Sequence, residues 1–168
     1  MVSVASRRVL IDTNVLIFGL VPSEPVNDRM SVKERQASIQ GTNAKKFFAQ
    51  CHADDTEILL SSISVSEAIE WLSDQAASEM FHLISRHFTI LPFDGNVAFR
   101  AGRLAFALHN MDIQDQPGKS KVRNDLYILA TGLHYNCADF YTTDKVLLKQ
   151  ASRLMLPMTV HPLPDAGE

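Results

Sequence analysis

Four acidic residues stand where short apolar runs give way to polar ones: Asp12 in VLIDTNVLI, Glu67 in SSISVSEAIEWL, Asp125 in VRNDLYILA and Asp144 in DFYTTDKVL. An ionised carboxylate buried without a partner costs several kcal/mol or more, so Asp12 inside its apolar run calls for a cap, a counter-ion or a metal. Like charges a few ångströms apart repel by several kcal/mol at intermediate dielectric, and a convergent cluster of four persists only if protonated or bound to a cation. The donors are hard oxygens, with no His or Cys in matching positions, which suits Mg²⁺ or Mn²⁺ rather than zinc.

Each acid also has a structural account. Asp94 before GNVAFRAGRL reads as a helix N-cap and no more. Ser64 and Glu67 have the spacing of a capping box, and Asp125 in a first helical turn would be favoured by the helix dipole. Chemistry is favoured by the set rather than by any member of it. Other reactions find less support: the six histidines show no HExxH or paired ligand spacing, no GxSxG surrounds the serines between Ser61 and Ser66, and Cys51 has no recognisable base partner. The GKS at 118–120 lacks the glycine five positions earlier that a phosphate loop needs, since Ile113 stands there. Trp71 reads as packing rather than as a stacking platform.

The elements that would carry these acids follow from apolar periodicity. Strands are expected at RVLID (8–12), EILLS (57–61), FTILPF (88–93), ADFYTT (138–143) and MTVHP (158–162). Between them, spacings of three and four place Ala44, Phe47, Phe48 and Cys51 on one helix face, and Val65, Ala68, Ile69 and Leu72 on another. Further faces are Ala77, Met80, Phe81 and Ile84, then Val97, Ala101, Leu104 and Leu108, then Leu126, Leu129 and Leu133, with a short helix around 146–148. Strands separated by helices predict right-handed crossovers and a mainly parallel sheet covered on both faces. Ligands of such sheets bind outside the carboxyl ends of the strands, where Asp12, Glu67 and Asp144 would be delivered; Asp125 would arrive from the start of a crossover helix. Two polar stretches stand apart: 21–43 reads as a long loop or a loose helix used as a lid or interface, and 109–124 as a loop.

With 168 residues, 46% of them hydrophobic, the chain is expected to form one domain over 1–168. Sixteen Lys and Arg against 19 Asp and Glu give no general attraction for a polyanion, so a nucleic acid would have to be met by local basic patches. Cys51 and Cys137 read as core thiols in a reducing compartment. Asp12 and Asn14 spoil a signal-peptide core, and no run approaches the roughly 20 apolar residues of a membrane span. The expectation is a soluble, cytoplasmic protein with no membrane partner.

In this order, VLIDTNVLI, SSISVSEAIEWL, ILPFDGNVAFRAGRL and VRNDLYILATGLHYNCADFYTTDKVL resemble the PIN-domain nucleases, most closely the small single-domain toxins of VapBC toxin–antitoxin pairs. The resemblance runs from residue 8 to about 161. It implies a three-layer α/β/α sandwich, in agreement with the periodicity. It also implies an acidic quartet at Asp12, Glu67, Asp125 and Asp144, with Glu70, about one helical turn beyond Glu67, as the alternative second acid. Asn14 and Thr142 match the family's positioning residues. The activity implied is a Mg²⁺- or Mn²⁺-dependent endoribonuclease, with one or two ions on Asp12, Asp125 and Asp144 and Glu67 acting through water or aiding the base. Lys119, Lys121, Arg123 and Lys145, beside the acids in sequence, would meet RNA phosphates. A homodimer and an inhibitory antitoxin protein are the implied partners. Alternatives are a solitary PIN nuclease of RNA processing and a non-catalytic PIN-like module binding RNA or protein. A phosphatase would want a second Asp where Asn14 stands.

Overall fold

The computed structural model describes residues 7–22, 24–110 and 119–165, with only the backbone of 119–122. Five strands, β1 (Arg8–Ile11), β2 (Glu57–Ser61), β3 (Thr89–Leu91), β4 (Asp139–Thr142) and β5 (Thr159–Pro162), form one sheet in the order β3-β2-β1-β4-β5. Every neighbouring pair is parallel. The helices between them are α1 (Thr13–Leu20), α2 (Val32–Ala53), α3 (Ser62–Ile69), α4 (Asp74–His87), α5 (Gly95–His109), α6 (Lys119–His134) and α7 (Lys145–Arg153). The chain first builds outward from β1 to β3, then crosses by α5 and α6 to place β4 on the other side of β1. The strand order therefore reverses between β1 and β4, and the crevice beyond their carboxyl ends is where such sheets take ligands.

Successive strand residues face opposite sides of the sheet, and both sides are apolar. Leu10, Leu59 and Phe140 pack with Ile128, Leu129 and Leu133 of α6 and Leu147 of α7. Ile11 and Leu60 pack with Val15 and Leu16 of α1, Ala44 of α2 and Ile84 of α4. Full burial of each large aliphatic side chain contributes about 1.5–3 kcal/mol, so these two layers dominate stability. α5 adds an outer contact, Val97 and Ala101 against Ala130 of α6. The expected three-layer α/β/α sandwich with a parallel sheet is thus observed. Among the described residues no helix is long and apolar enough to cross a membrane. Cys51 and Cys137 are buried free thiols, pushed up to about 11 by that burial.

Two close approaches need glycine. A Cβ on Gly19 of α1 would lie 2.1 Å from the ring of Phe48 on α2. On Gly132 of α6 it would lie 2.8 Å from the Leu10 side chain, so glycine lets α6 rest directly on β1.

Three local readings are corrected, and a fourth, at 21–43, is divided between its two alternatives. The stretch 21–43 is a loop only as far as Ser31, which caps α2 in a reciprocal capping box with Glu34. Its buried residues there are Ser38, Gly41 and Asn43, too small or polar for apolar periodicity to reveal. α6 begins at Lys119, so 119–124 is helix, and Asp125 lies well inside it rather than in its first turn. Glu67 is in the second half of α3, and Ser61, not Ser64, caps that helix, because β2 turns into it without a linker. Trp71 is 88% exposed, since α3 stops at Ile69 and leaves it in the turn before α4.

Candidate active site

Asp12 joins β1 to α1 with nothing between them. Its N–H donates to the Tyr141 carbonyl at 3.0 Å, extending the β1–β4 ladder, while its own carbonyl accepts from Leu16 at 3.1 Å as the first bond of α1. Its Oδ1 accepts from the Thr13 N–H at 2.7 Å, the N-cap interaction. Its Oδ2 accepts from the Thr142 hydroxyl at 2.8 Å. The side chain is almost fully enclosed, with Asp12 3% exposed. Burial pushes its carboxyl up to about 6, against the two hydrogen bonds and with help from the charges of Glu67 and Asp144.

Thr142, the last residue of β4, has no exposed surface and serves two acids with one oxygen. While its hydroxyl donates to Asp12, it accepts the Asp144 N–H at 3.0 Å. Asp144 in turn caps α7, its Oδ1 accepting from Val146 at 2.7 Å and Leu147 at 3.2 Å. The sharp turn from β4 to α7 thereby brings Asp144 beside the end of β1.

Glu67, half-buried, reaches the same region from α3. The Thr13 hydroxyl donates to its Oε2, and the Asn124 amide donates to its Oε1 at 2.7 Å. Asp125, next along α6, is half-buried. Glu70 lies at the end of α3 and is exposed, so the acid with contacts into the site is Glu67. Asn14 and Arg123 are exposed, as is Lys145 at the first turn of α7. The side chains of Lys119 and Lys121 lie outside the described residues. Thr13 and Asn124 were not singled out from the sequence; their signal is that each is a polar chain neighbour of a candidate acid, in Asp12-Thr13 and Asn124-Asp125.

Among the described residues no three His, Cys, Asp or Glu side chains form a group ready to hold a metal ion. In kind, the donors fit a hard cation: they are carboxylate oxygens, and the charges acting on the buried Asp12 are those of two further acids.

Neither a family model nor a curated protein matches the sequence. Solved structures match in three dimensions. VapBC2 from Rickettsia felis, bound to a DNA fragment from their promoter, superposes with a TM-score of 0.62 at 14% identity, over 94% of this chain and 99% of that one. The fold is PIN-like. DNA-bound VapBC from Salmonella typhimurium shares this PIN-like fold with a TM-score of 0.59 at 15% identity, over 94% and 99% of the two chains. VapBC-1 from nontypeable Haemophilus influenzae gives 0.60 at 15%, over 93% and 98%. At such identities the likeness is one of fold, and function has to be argued from the site.

Proposed function

We propose that the chain, as a single domain over 1–168, is a metal-dependent endoribonuclease that hydrolyses RNA phosphodiester bonds, and the toxin of a VapBC-type pair in the cytoplasm. The observation that carries this reading is the buried Asp12, tied through one threonine hydroxyl to Asp144 and charge-coupled to Glu67, in the crevice where the strand order reverses. Asp12, Asp125 and Asp144 would hold Mg²⁺ or Mn²⁺, with Glu67 bearing on the ion through water. When bound, the cation supplies Lewis-acid polarisation of the scissile phosphate and relief of the acids' mutual repulsion.

The chain's own residues do the rest. The Thr13 N–H and the Thr142 hydroxyl fix the Asp12 carboxylate before substrate arrives, so no reorganisation is needed at the moment of reaction. Glu67, only half-buried, would bear on the attacking water and aid its deprotonation. Lys145 and Arg123, with Lys119 and Lys121, meet the RNA backbone, which the net charge of −3 would otherwise repel. The proposed partners are a small antitoxin protein and a second copy of this chain.

Purified protein is expected to cleave a mixed-sequence RNA with Mg²⁺ or Mn²⁺ and to stop with EDTA. Asp12→Asn and Asp144→Asn should each abolish cleavage with the circular-dichroism spectrum unchanged. Full activity in both variants would overturn the reading.

A further inference from the structure

We infer that Asn124 and Thr13 are positioning residues, the two jaws of a clamp that holds the Glu67 carboxylate in the acidic site; this rests on the metal-dependent nuclease reading. Glu67 has a long, rotamer-rich side chain, and ordering it is opposed by conformational entropy. Yet each of its oxygens receives a donor, and the donors come from two other elements: Thr13 of α1 to Oε2 and Asn124 of α6 to Oε1. A capping duty does not explain this, because Ser61 already caps α3.

The chemistry of the donors carries the inference further. Lysine or arginine would hold the carboxylate equally well but would also cancel its charge. A hydroxyl and an amide fix its position and leave the negative charge for a cation. Each jaw is also the chain neighbour of a proposed ligand, Thr13 of Asp12 and Asn124 of Asp125. The clamp therefore ties α1, α3 and α6 together at the very residues whose spacing a shared ion would read.

The test measures Mn²⁺ binding by calorimetry without RNA, RNA cleavage, and unfolding of the metal-free protein. Asn124→Ala should weaken Mn²⁺ binding about 10-fold and lower kcat, with KM for RNA within about two-fold. Combined with Glu67→Ala, it should cost nothing beyond Glu67→Ala alone. Thr13→Val, nearly isosteric, removes the other donor and should give the same pattern; it carries the test where Asn124→Ala does not fold. Unchanged Mn²⁺ affinity in both variants, or additive losses in the double variant, would overturn the clamp. An unmodified chain that neither binds Mn²⁺ nor cleaves RNA would overturn the nuclease reading instead, so the two failures are distinct.

Discussion

The Thr142 hydroxyl donates to Asp12 Oδ2 across 2.8 Å and so ties the carboxyl ends of β1 and β4 together at the point where the strand order reverses. Because the same oxygen accepts the Asp144 N–H at 3.0 Å, the two turns that leave the sheet there are set by one side chain. Thr142→Val keeps the shape and removes both bonds. A loss of about 1–3 kcal/mol is expected in urea denaturation, since a buried carboxylate and an amide both lose a partner. A variant as stable as the parent would show that Thr142 sets nothing.

Asp12 makes the metal-free protein less stable as pH rises. Its carboxyl is raised from 3.8 to about 6, so its protonation stabilises the fold fully below about pH 4, and that stabilisation is lost as pH rises through 6. The amount is on the order of 2–3 kcal/mol. Metal-free Asp12→Asn should therefore melt no lower than the parent at pH 7, with any advantage shrinking toward pH 4. A large drop at pH 7 would mean that Asp12 is needed for folding itself.

Asp144 has two separable duties. Both Asp144→Asn and Asp144→Ala should abolish cleavage, but asparagine still caps a helix and alanine does not. Denaturation should find Asp144→Ala lower by about 1 kcal/mol and Asp144→Asn close to the parent. Equal stability of the two variants would remove the capping bonds to Val146 and Leu147 from the account of α7.

The basic residues beside the acids are expected to act through phosphate. Lys145→Glu and Arg123→Glu should raise KM for RNA, and removing each contact should flatten the salt dependence by about one unit of log–log slope or slightly less. An unchanged salt slope would place the RNA backbone elsewhere.

At Gly19 the space is already taken. A methyl there would meet the Phe48 ring at 2.1 Å, so Gly19→Ala should cost about 1–3 kcal/mol by chemical denaturation despite a helix-propensity gain of about 1 kcal/mol. A stabilised variant would show that α1 and α2 are free to separate.

The sheet was legible in the sequence because its central strands β1, β2 and β4 are short runs rich in residues that must be buried, and the acids were legible because parallel strands end on one edge. Asp94 also followed the local rule, accepting from the N–H groups of Asn96 and Val97. Where polar residues make helix, apolar periodicity fell silent: the buried residues of α2 before Ala44 are Ser38, Gly41 and Asn43, and among the described side chains of α6 burial starts only at Leu126. Glu67 was visible as an acid but its partners were not. Thr13 and Asn124 lie 54 and 57 residues away along the chain, and only the folded arrangement pairs them.

Asp12 is at once the last rung of the β1–β4 ladder and the first carbonyl of α1, with no linker on either side. Its backbone therefore has no hinge of its own: moving this carboxylate means unzipping the middle of the sheet or unwinding the helix that covers it. In hydrogen exchange, the amide of Asp12 would open with the global unfolding event rather than with any local fluctuation. Adaptation to an incoming RNA is then left to the exposed basic side chains at the rim, Arg123 and Lys145, around a centre that does not yield.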